Sequence, residues 1–411
     1  MSQFNNRKVK VGIVGCGVVA TAYYLPYLIS MPEVELVAVC DLDPERTAAC
    51  MRLFGARTAY QDYFAMIKQA DIDVVFILTG PGTHFRFTMA AAEAGKHILL
   101  QKPMALNMYD ANAIVAAVRA AGVKALIEPS ASSPLDPDCV VLRALIDAGV
   151  LGNVCWFTLI PGAPTQYHIG LGGNPYGNGA FYAEDSGGML FDYPYAPTQL
   201  VTLLGECKSV MGMATISAPD QRIVPEAEYN RFLAQATDPY DANYWDVVLD
   251  LPRTEPVTMR APDNVFSLYE MVNGATGVFH VGRPYHPVLP CTGGGSLEIY
   301  GTEGNLIFGG GYLASVISNR KDLLPDVCES GWYHIPQRGD LTKAAWPKPT
   351  PGAFNYYHRS TQHLIDSIRT DCDPILNVEW GRHITEMMVG ATESSCTGQR
   401  YTMTTTLTGL V

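Results

Sequence analysis

The first 128 residues alternate between short apolar runs and longer amphipathic stretches. The apolar runs have the length of strands and predict strands at Val9–Val14, Val34–Cys40, Val74–Leu78, His97–Leu100 and Lys124–Glu128. The stretches between them have helical spacing and predict helices at Ala20–Ile29, Pro44–Leu53, Tyr63–Lys68, Phe85–Ala94 and Tyr109–Ala120. Strands that alternate with helices indicate a doubly wound parallel sheet.

After residue 128 the pattern changes to strands that are separated by Gly- and Pro-rich loops. Helices are predicted at Cys139–Ala148, Tyr356–Arg369 and Gly381–Thr397. An open antiparallel sheet is predicted from Val154–Ile160, Ser209–Ile216, Val247–Leu251, Asn264–Val272, Gly277–Val281, Ser296–Tyr300 and Asn305–Phe308. We therefore expect an α/β chain with a doubly wound domain at 1–128 and an α+β domain at 129–411.

Composition narrows the functional classes. The chain has 411 residues, 48% of them hydrophobic and 17% charged, which is typical of a globular protein with material for two cores. Its net charge of −12 argues against binding to nucleic acid through a basic face. No apolar run reaches the roughly 18 residues of a membrane helix, and the polar N-terminus does not resemble a signal peptide. Ten cysteines lack metal-site spacing. We expect no metal, no membrane partner and a cytoplasmic location.

A glycine motif follows the first predicted strand. Gly15, Cys16, Gly17, Val18 and Val19 lead into Ala20, which opens the first predicted helix. In a Gly-x-Gly-x-x-Gly/Ala motif the first glycine permits a tight turn, and the second lets the backbone approach a pyrophosphate. The free N–H groups at the helix start then face the phosphates. The motif predicts a dinucleotide site and a Rossmann-type first domain.

An acidic residue stands at the end of the second predicted strand. Asp41 lies 26 residues after Gly15, where a carboxylate accepts hydrogen bonds from ribose hydroxyls and repels the 2′-phosphate of NADP. Leu42 and Asp43 follow it rather than Arg or Lys. The predicted cofactor is therefore NAD.

Three further segments carry a family resemblance. They are Thr79–His84, the Gln101-Lys102-Pro103 segment with the strand before it, and Ile299–Leu306. With the first motif they resemble the glucose-fructose oxidoreductase/inositol dehydrogenase (Gfo/Idh/MocA) family over nearly the whole chain. The resemblance adds Thr79, Gly80, His84, Gln101 and Lys102 to the expected cofactor contacts, although His84 is equally suited to bonding nearby backbone groups.

The resemblance places Lys102 beside the nicotinamide and the reacting hydroxyl. Removing hydride from a secondary alcohol requires loss of the hydroxyl proton, and a cation stabilises the developing alkoxide. The family motif reads Glu-Lys-Pro, whereas this chain has Gln101. We expect the missing carboxylate to lower the pKa of Lys102. Gln101 remains able to bond a ribose.

The second catalytic position requires a choice of register. Gly187–Ala196 is similar to the family segment that ends in the acid/base residue and leads into a helix that ends Leu-Leu-Gly. Counting forward from Asp192 places that residue at Ala196, and counting back from the helix end places it at Tyr195. A helix keeps its register better than a loop does, so we name Tyr195.

Roles for the neighbouring side chains follow from that choice. Tyr195 would act as acid or base near neutral pH if the Lys102 ammonium stabilised its phenolate. Tyr193 is the fallback, and simple packing is the alternative for both tyrosines. Asp192 either orients a substrate hydroxyl or caps the following helix.

Polar and aromatic residues suited to a sugar lie in two loops. Tyr167, His168 and Tyr176 stand in the stretch Pro161–Gly188. Arg283 follows a predicted strand and could recognise a charged substituent of the substrate. Loop aromatics often serve only packing, so substrate contact is one of two interpretations.

Three functions fit these patterns. The first is NAD-dependent oxidation of a secondary hydroxyl of a sugar, polyol or glycoside. The second is a redox-neutral glycosidase that oxidises C3 transiently, eliminates the aglycone, adds water and reduces the ketone again. The third is a non-catalytic NAD sensor. The resemblance also implies a homo-oligomer, a dimer or tetramer, that pairs through the open face of the second sheet.

Overall fold

The computed structural model describes residues 7–160, 186–217, 219–223, 225–235, 237, 252, 254–282, 296–308, 313–324, 331–335 and 356–407. In this part of the chain, the first sheet consists of β1 Val9–Val14, β2 Val34–Cys40, β3 Thr58–Tyr60, β4 Val74–Ile77, β5 His97–Leu100 and β6 Ala125–Ile127. Its six strands are parallel and lie in the order β3-β2-β1-β4-β5-β6. This order is that of the expected doubly wound fold.

Helices connect these strands. A π-helical turn at Val19–Tyr24 continues as the first of five α-helices in this domain. Their bounds are α1 Leu25–Leu28, α2 Pro44–Phe54, α3 Tyr63–Gln69, α4 Pro81–Glu93 and α5 Met108–Ala121. Helix α4 begins four residues before the predicted Phe85, because Gly80 is its N-cap and Pro81 occupies the first turn.

The second sheet is open and largely antiparallel. Its described strands are β7 Val154–Ile160, β8 Cys207–Thr215, β11 Asn264–Met271, β12 Thr276–Gly282, β13 Ser296–Gly301, β14 Gly304–Phe308, β15 Ala314–Ser318, β16 Trp332–Ile335 and β17 Tyr401–Thr402. Their order is β16-β15-β14-β13-β7-β12-β11-β8-β17, and the pair β7 and β12 is parallel. The predicted α+β domain on an open sheet is confirmed, with one parallel pair inside it.

The remaining elements flank the second sheet. A small ribbon pairs β9 Asp220–Ile223 with β10 Glu255–Thr258. The helices are α6 Pro137–Asp147, α7 Gly188–Asp192, α8 Tyr195–Leu204, α9 Glu226–Gln235, α10 Tyr356–Thr370 and α11 Val378–Thr397. The predicted strand Val247–Leu251 lies outside the described residues. No helix in the described ranges has the length and apolar character needed to cross a bilayer.

One helix near the end of the chain, α11, connects the two sheets. On one side of α11, the Ser394 hydroxyl accepts a hydrogen bond from the Gly212 N–H of β8 at 3.1 Å. Just before α11, the Leu376 carbonyl accepts one from the Ile127 N–H of β6 at 2.8 Å. Helix α11 therefore ties the second sheet to the edge of the first.

A buried histidine on α11 predicts a pH dependence of stability. Burial lowers the pKa of His383 to about 4, and its ring bonds the Cys207 N–H and the Thr405 hydroxyl. Between pH 6.5 and 4 the unfolded chain binds a proton that the folded chain does not. The free energy of unfolding should therefore fall by about 3 kcal/mol as pH falls through this window.

Urea unfolding followed by tryptophan fluorescence at several pH values measures this loss. In His383→Gln the histidine contribution should vanish and the pH slope should flatten. The matched variant His334→Gln, on the edge strand β16, should keep the wild-type slope. An unchanged slope in His383→Gln would assign the acid sensitivity to other groups.

Candidate functional site

The glycine loop after β1 is shaped to admit a phosphate. Gly15 has φ +92°, and a Cβ built on it would lie 2.8 Å from the Leu78 carbonyl oxygen. A Cβ built on Gly17 would meet no atom within 4 Å, so the space in front of that residue is open. The first glycine makes the turn and the second leaves room for a pyrophosphate.

Asp41 is fixed at the end of β2 beside this loop. Its Oδ2 accepts a hydrogen bond from the Cys16 N–H at 2.7 Å, and its Oδ1 accepts one from the Asp43 N–H at 3.0 Å. Each carboxylate oxygen keeps a second lone pair for a ribose hydroxyl. Leu42 beside it is 90% exposed. The loop, the open space at Gly17 and this carboxylate fit a dinucleotide without a 2′-phosphate.

The helix after the loop begins with the residues expected to face the phosphates. Val18 is the N-cap, no side chain caps this end, and Val19 starts the π-helical turn. Uncapped N–H groups at a helix start attract anions. π-Helical turns are frequent at functional sites.

Thr79 and Gly80 lie at the end of β4 on the same edge of the sheet. The hydroxyls of Thr79 and Thr83 are 2.6 Å apart, and Gly80 caps α4. His84 is fully buried, with Nδ1 2.7 Å from the Pro103 carbonyl and Nε2 2.9 Å from the Thr79 carbonyl. Of its two expected roles, the structure shows the backbone one, because both ring nitrogens face carbonyl oxygens inside the protein.

Lys102 and Asp192 form a buried ion pair between the two domains. The Lys102 ammonium lies 2.5 Å from Asp192 Oδ1 and 2.9 Å from the Asp192 carbonyl. Their side chains are 14% and 6% exposed. Asp192 is the last residue of α7. Its side chain does not cap α8, so the helix-cap interpretation is wrong: the carboxylate is turned toward Lys102 instead.

The same ammonium lies over the Tyr195 ring. The distance from Lys102 Nζ to the ring centroid is 5.6 Å, which is the geometry of a cation–π contact. Tyr195 is the first residue of α8, whereas Ala196 is packed into the core. Tyr193 stands next to Tyr195 with ring centroids 5.4 Å apart. The structure thus brings Tyr195 rather than Ala196 to the lysine.

Two expectations about charge are wrong. Burial opposes the Lys102 ammonium, but the Asp192 carboxylate outweighs it, and the pKa of Lys102 is raised from 10.5. Asp192 thus supplies the negative charge that the family glutamate would provide at position 101. Burial and the Tyr356 hydroxyl raise the pKa of Tyr195 well above 10, against a smaller lowering by Lys102. The resting site therefore holds an ammonium and a neutral phenol.

Two tyrosines that no sequence motif singles out complete the wall of the site. Tyr356 and Tyr357 open α10. The Tyr356 ring lies 6.5 Å from the Tyr195 ring and 4.1 Å from the Tyr357 ring, measured between centroids. Burial raises the pKa of both Tyr356 and Tyr357. The signal available in the sequence is a pair of tyrosines at the start of a predicted helix, and nothing local links that pair to Tyr195.

Gln101 is buried and hydrogen-bonded within the protein. Its amide donates to the Tyr24 hydroxyl at 2.8 Å, and its Oε1 accepts from the Lys102 N–H at 3.2 Å. The Gln101 side chain is thus engaged within the protein. Its expected ribose contact remains a prediction. The predicted substrate residues Tyr167, His168, Tyr176 and Arg283 lie outside the described residues.

The comparisons with known proteins cover both domains. Residues 9–128 match the model of the Gfo/Idh/MocA oxidoreductase family with an NAD-binding Rossmann fold. Residues 140–307 match the model of a C-terminal domain of the same family.

Curated relatives align with part of the chain. A dTDP-3,4-didehydro-2,6-dideoxy-alpha-D-glucose 3-reductase of Streptomyces violaceoruber is 27% identical over 48% of this chain and 55% of its own length. A D-apiose dehydrogenase of Paraburkholderia graminis is 31% identical over 45% of this chain and 48% of its own length. The chain thus spans about half the length of these relatives.

Solved structures share the whole fold at low identity. A levoglucosan dehydrogenase in complex with NADH and levoglucosan has a TM-score of 0.70 at 19% identity, over 97% of this chain and 100% of its own. The WlbA dehydrogenase of Bordetella pertussis, in complex with NADH and UDP-GlcNAcA, has a TM-score of 0.68 at 20% identity, over 97% and 99%. With both domain models matched on this fold, the chain belongs to the Gfo/Idh/MocA oxidoreductase family, and its first domain is the NAD-binding Rossmann fold of that family.

Proposed function

We propose that the chain is an NAD-dependent dehydrogenase that oxidises a secondary hydroxyl of a sugar, polyol or glycoside. The observation that carries this proposal is the Lys102 ammonium, which Asp192 holds over the Tyr195 ring between the two domains. A buried cation stabilises the oxygen of an alcohol as it loses its proton. The named curated relatives act on sugars, which supports the substrate class.

The residues divide the work of the reaction. NAD, when bound, accepts the hydride of the carbinol carbon. Lys102 keeps its proton because its pKa is raised, so it acts as an electrostatic stabiliser and not as the base. Gly15, Gly17 and Asp41 would hold the pyrophosphate and the ribose. Asp192 keeps the ammonium in place, and we expect its carboxylate to orient a substrate hydroxyl as well.

Tyr195 is the acid/base residue of the proposed reaction. Its raised pKa makes it a neutral phenol in the resting site, so it loses its proton to solvent before it acts as a base. Its phenolate, beside the Lys102 ammonium, then accepts the substrate hydroxyl proton. In the reverse direction the neutral phenol returns that proton to the carbonyl oxygen.

One experiment tests the proposal. The protein is incubated with NAD and a panel of free sugars, polyols and glycosides in deuterated water, and nicotinamide absorbance and sugar products are followed together. Net NADH accumulation supports the dehydrogenase. Aglycone release without net NADH, with deuterium at C2, would replace it by the redox-neutral glycosidase. NAD binding with neither signal would favour the sensor.

The second sheet suggests how copies of the chain associate. Its outer face carries exposed Trp156, Met213, Phe266 and Leu268. On β11, exposed Phe266 and Leu268 alternate with buried residues. A contiguous apolar face of this kind marks an interface. We propose that two copies pair through it, and dimer or tetramer is the expected state.

Leu268→Glu should abolish this pairing. A carboxylate in the centre of an apolar interface has no partner, and its desolvation is unfavourable. Light scattering coupled to gel filtration should show the mass of one chain for this variant and a multiple of it for the wild type. Leu42→Glu, which changes an exposed leucine of the first domain, should keep the wild-type mass. Dissociation of both variants, or of neither, would contradict the proposed interface.

Buried cysteines near the cofactor loop bear on the cellular location of the protein. Cys16, Cys40 and Cys50 are free thiols buried near the cofactor loop. Buried free thiols are typical of proteins in reducing compartments. We place the enzyme in the cytoplasm, where NAD and sugar substrates are both supplied.

A further inference from the structure

A buried chain of hydrogen bonds runs from the Lys102 backbone to a carboxylate at the end of β6. Its first link is the Lys102 N–H, which donates to Gln101 Oε1 at 3.2 Å. Gln101 Nε2 donates to the Tyr24 hydroxyl at 2.8 Å, and that hydroxyl donates to Glu128 Oε1 at 2.9 Å. Gln101, Tyr24 and Glu128 are each at most 5% exposed.

The proton count along this chain permits one direction only. Burial raises the pKa of Glu128, while the hydrogen bonds that its two oxygens accept from the Tyr24 hydroxyl and the Ser130 N–H oppose that rise. The Tyr24 hydroxyl has one proton, and it goes to Glu128. Its lone pair must then face a donor, which the Gln101 amide supplies and a carboxylate cannot. Gln101 Oε1 then accepts the hydrogen bond from the N–H of the next residue, Lys102.

We propose that Gln101 is a positioning residue for Lys102, and that the buried Glu128, acting through Tyr24, is the reason this position is glutamine and not the glutamate of the family motif. Gln101 links the Lys102 peptide to Tyr24 and Glu128, and so holds the lysine backbone while Asp192 holds its ammonium. The role in turnover rests on the proposed function, whereas the coupling of Gln101 with Glu128 does not.

The proposal predicts that restoring the family residue is harmful. Gln101→Glu places two carboxylates on either side of one hydroxyl proton, so one of them faces a lone pair in a buried site. In Glu128→Gln an amide replaces the carboxylate, so the Tyr24 hydroxyl lies between two side-chain amides, at positions 101 and 128. In the double variant the bonds of Tyr24 reverse, because the amide is now at position 128 and the carboxylate at position 101. That carboxylate accepts from the Tyr24 hydroxyl and still accepts from the Lys102 N–H.

The experiment is a double-mutant cycle on the full-length protein with bound NAD. Each single variant should lower kcat about tenfold or more, while the double variant should return to within about threefold of the wild type. The KM for the sugar should stay within about threefold in all variants, and the Kd for NAD should do so in Glu128→Gln, because these changes act on the orientation of Lys102. Gln399→Glu, which changes an exposed glutamine just after α11, controls for the added charge.

Unfolding midpoints of the same four proteins give a readout that needs no substrate. The midpoints of both single variants should fall and that of the double variant should recover, even if no sugar is oxidised and the proposed function fails. Additive losses, with the double variant worse than either single variant, would overturn the coupling. A recovered midpoint without recovered kcat, in a wild type that turns over, would overturn the positioning role. Wild-type behaviour of Gln101→Glu would overturn both.

Discussion

A Lys102→Met variant is expected to lose about a thousandfold in kcat while its affinity for NAD stays close to that of the wild type. Methionine has a similar length but no charge, so the alkoxide that develops on the substrate oxygen loses its stabilising cation. The Asp192 carboxylate is also left buried beside an apolar side chain, without the ammonium at 2.5 Å. Stopped-flow or steady-state formation of NADH measures the loss, and NAD titration measures the affinity.

Two companion variants separate charge from packing. Lys68→Met removes an exposed lysine of α3 and should leave kcat unchanged. Lys102→Arg keeps the positive charge and should retain more activity than Lys102→Met. If Lys102→Met turns over within a few-fold of the wild type, the site cation lies elsewhere. If NAD binding falls in parallel with kcat, Lys102 serves the cofactor and not the reaction.

A Tyr195→Phe variant is expected to lower kcat by about a hundredfold to a thousandfold. The ring and its contact with the Lys102 ammonium remain, but the hydroxyl that receives the substrate proton is gone. Tyr356→Phe should cause a smaller loss, because the Tyr356 ring lies beside Tyr195 but does not itself receive the substrate proton. Both variants should bind NAD normally.

The choice between the two neighbouring tyrosines follows from the same assay. Tyr193→Phe should keep most of the activity, and Tyr109→Phe, which changes an exposed tyrosine of α5, should keep all of it. Near-wild-type turnover of Tyr195→Phe together with an inactive Tyr193→Phe would move the acid/base role to Tyr193. Equal losses in Tyr195→Phe and Tyr356→Phe would contradict the assignment of the proton transfer to Tyr195 alone.

The fold of the first domain is predictable because its signals are local. The strands at Val9–Val14 and Val34–Cys40 have the predicted bounds, since each is an apolar run closed by glycine or aspartate. The short edge strand Thr58–Tyr60 is not predicted, because it is largely exposed and lacks the apolar run that marks a central strand. The parallel pairing of β7 with β12 is also not predictable, as these strands are far apart in sequence.

The sequence predicts the electrostatics of the site in the wrong direction for a physical reason. A pKa depends on every charge near a group and on its burial, whereas the sequence shows only its chain neighbours. Replacement of the family glutamate by Gln101 suggests a lowered pKa for Lys102. In the fold, Asp192 approaches from 90 residues away, and the pKa is raised.

The sequence by itself determined the Rossmann domain, the glycine loop with Asp41, the NAD preference and the two ends of the Lys102–Tyr195 pair. The domain, the loop and the NAD preference follow from the order of strand, glycine turn, helix and acid, and the pair follows from the family resemblance. Only the tertiary structure decided that Asp192 pairs with Lys102, that Tyr356 and Tyr357 extend the site from α10, and that Gln101 is linked through Tyr24 to Glu128. Those contacts join segments far apart in the chain, and only the packing of the two sheets brings them together.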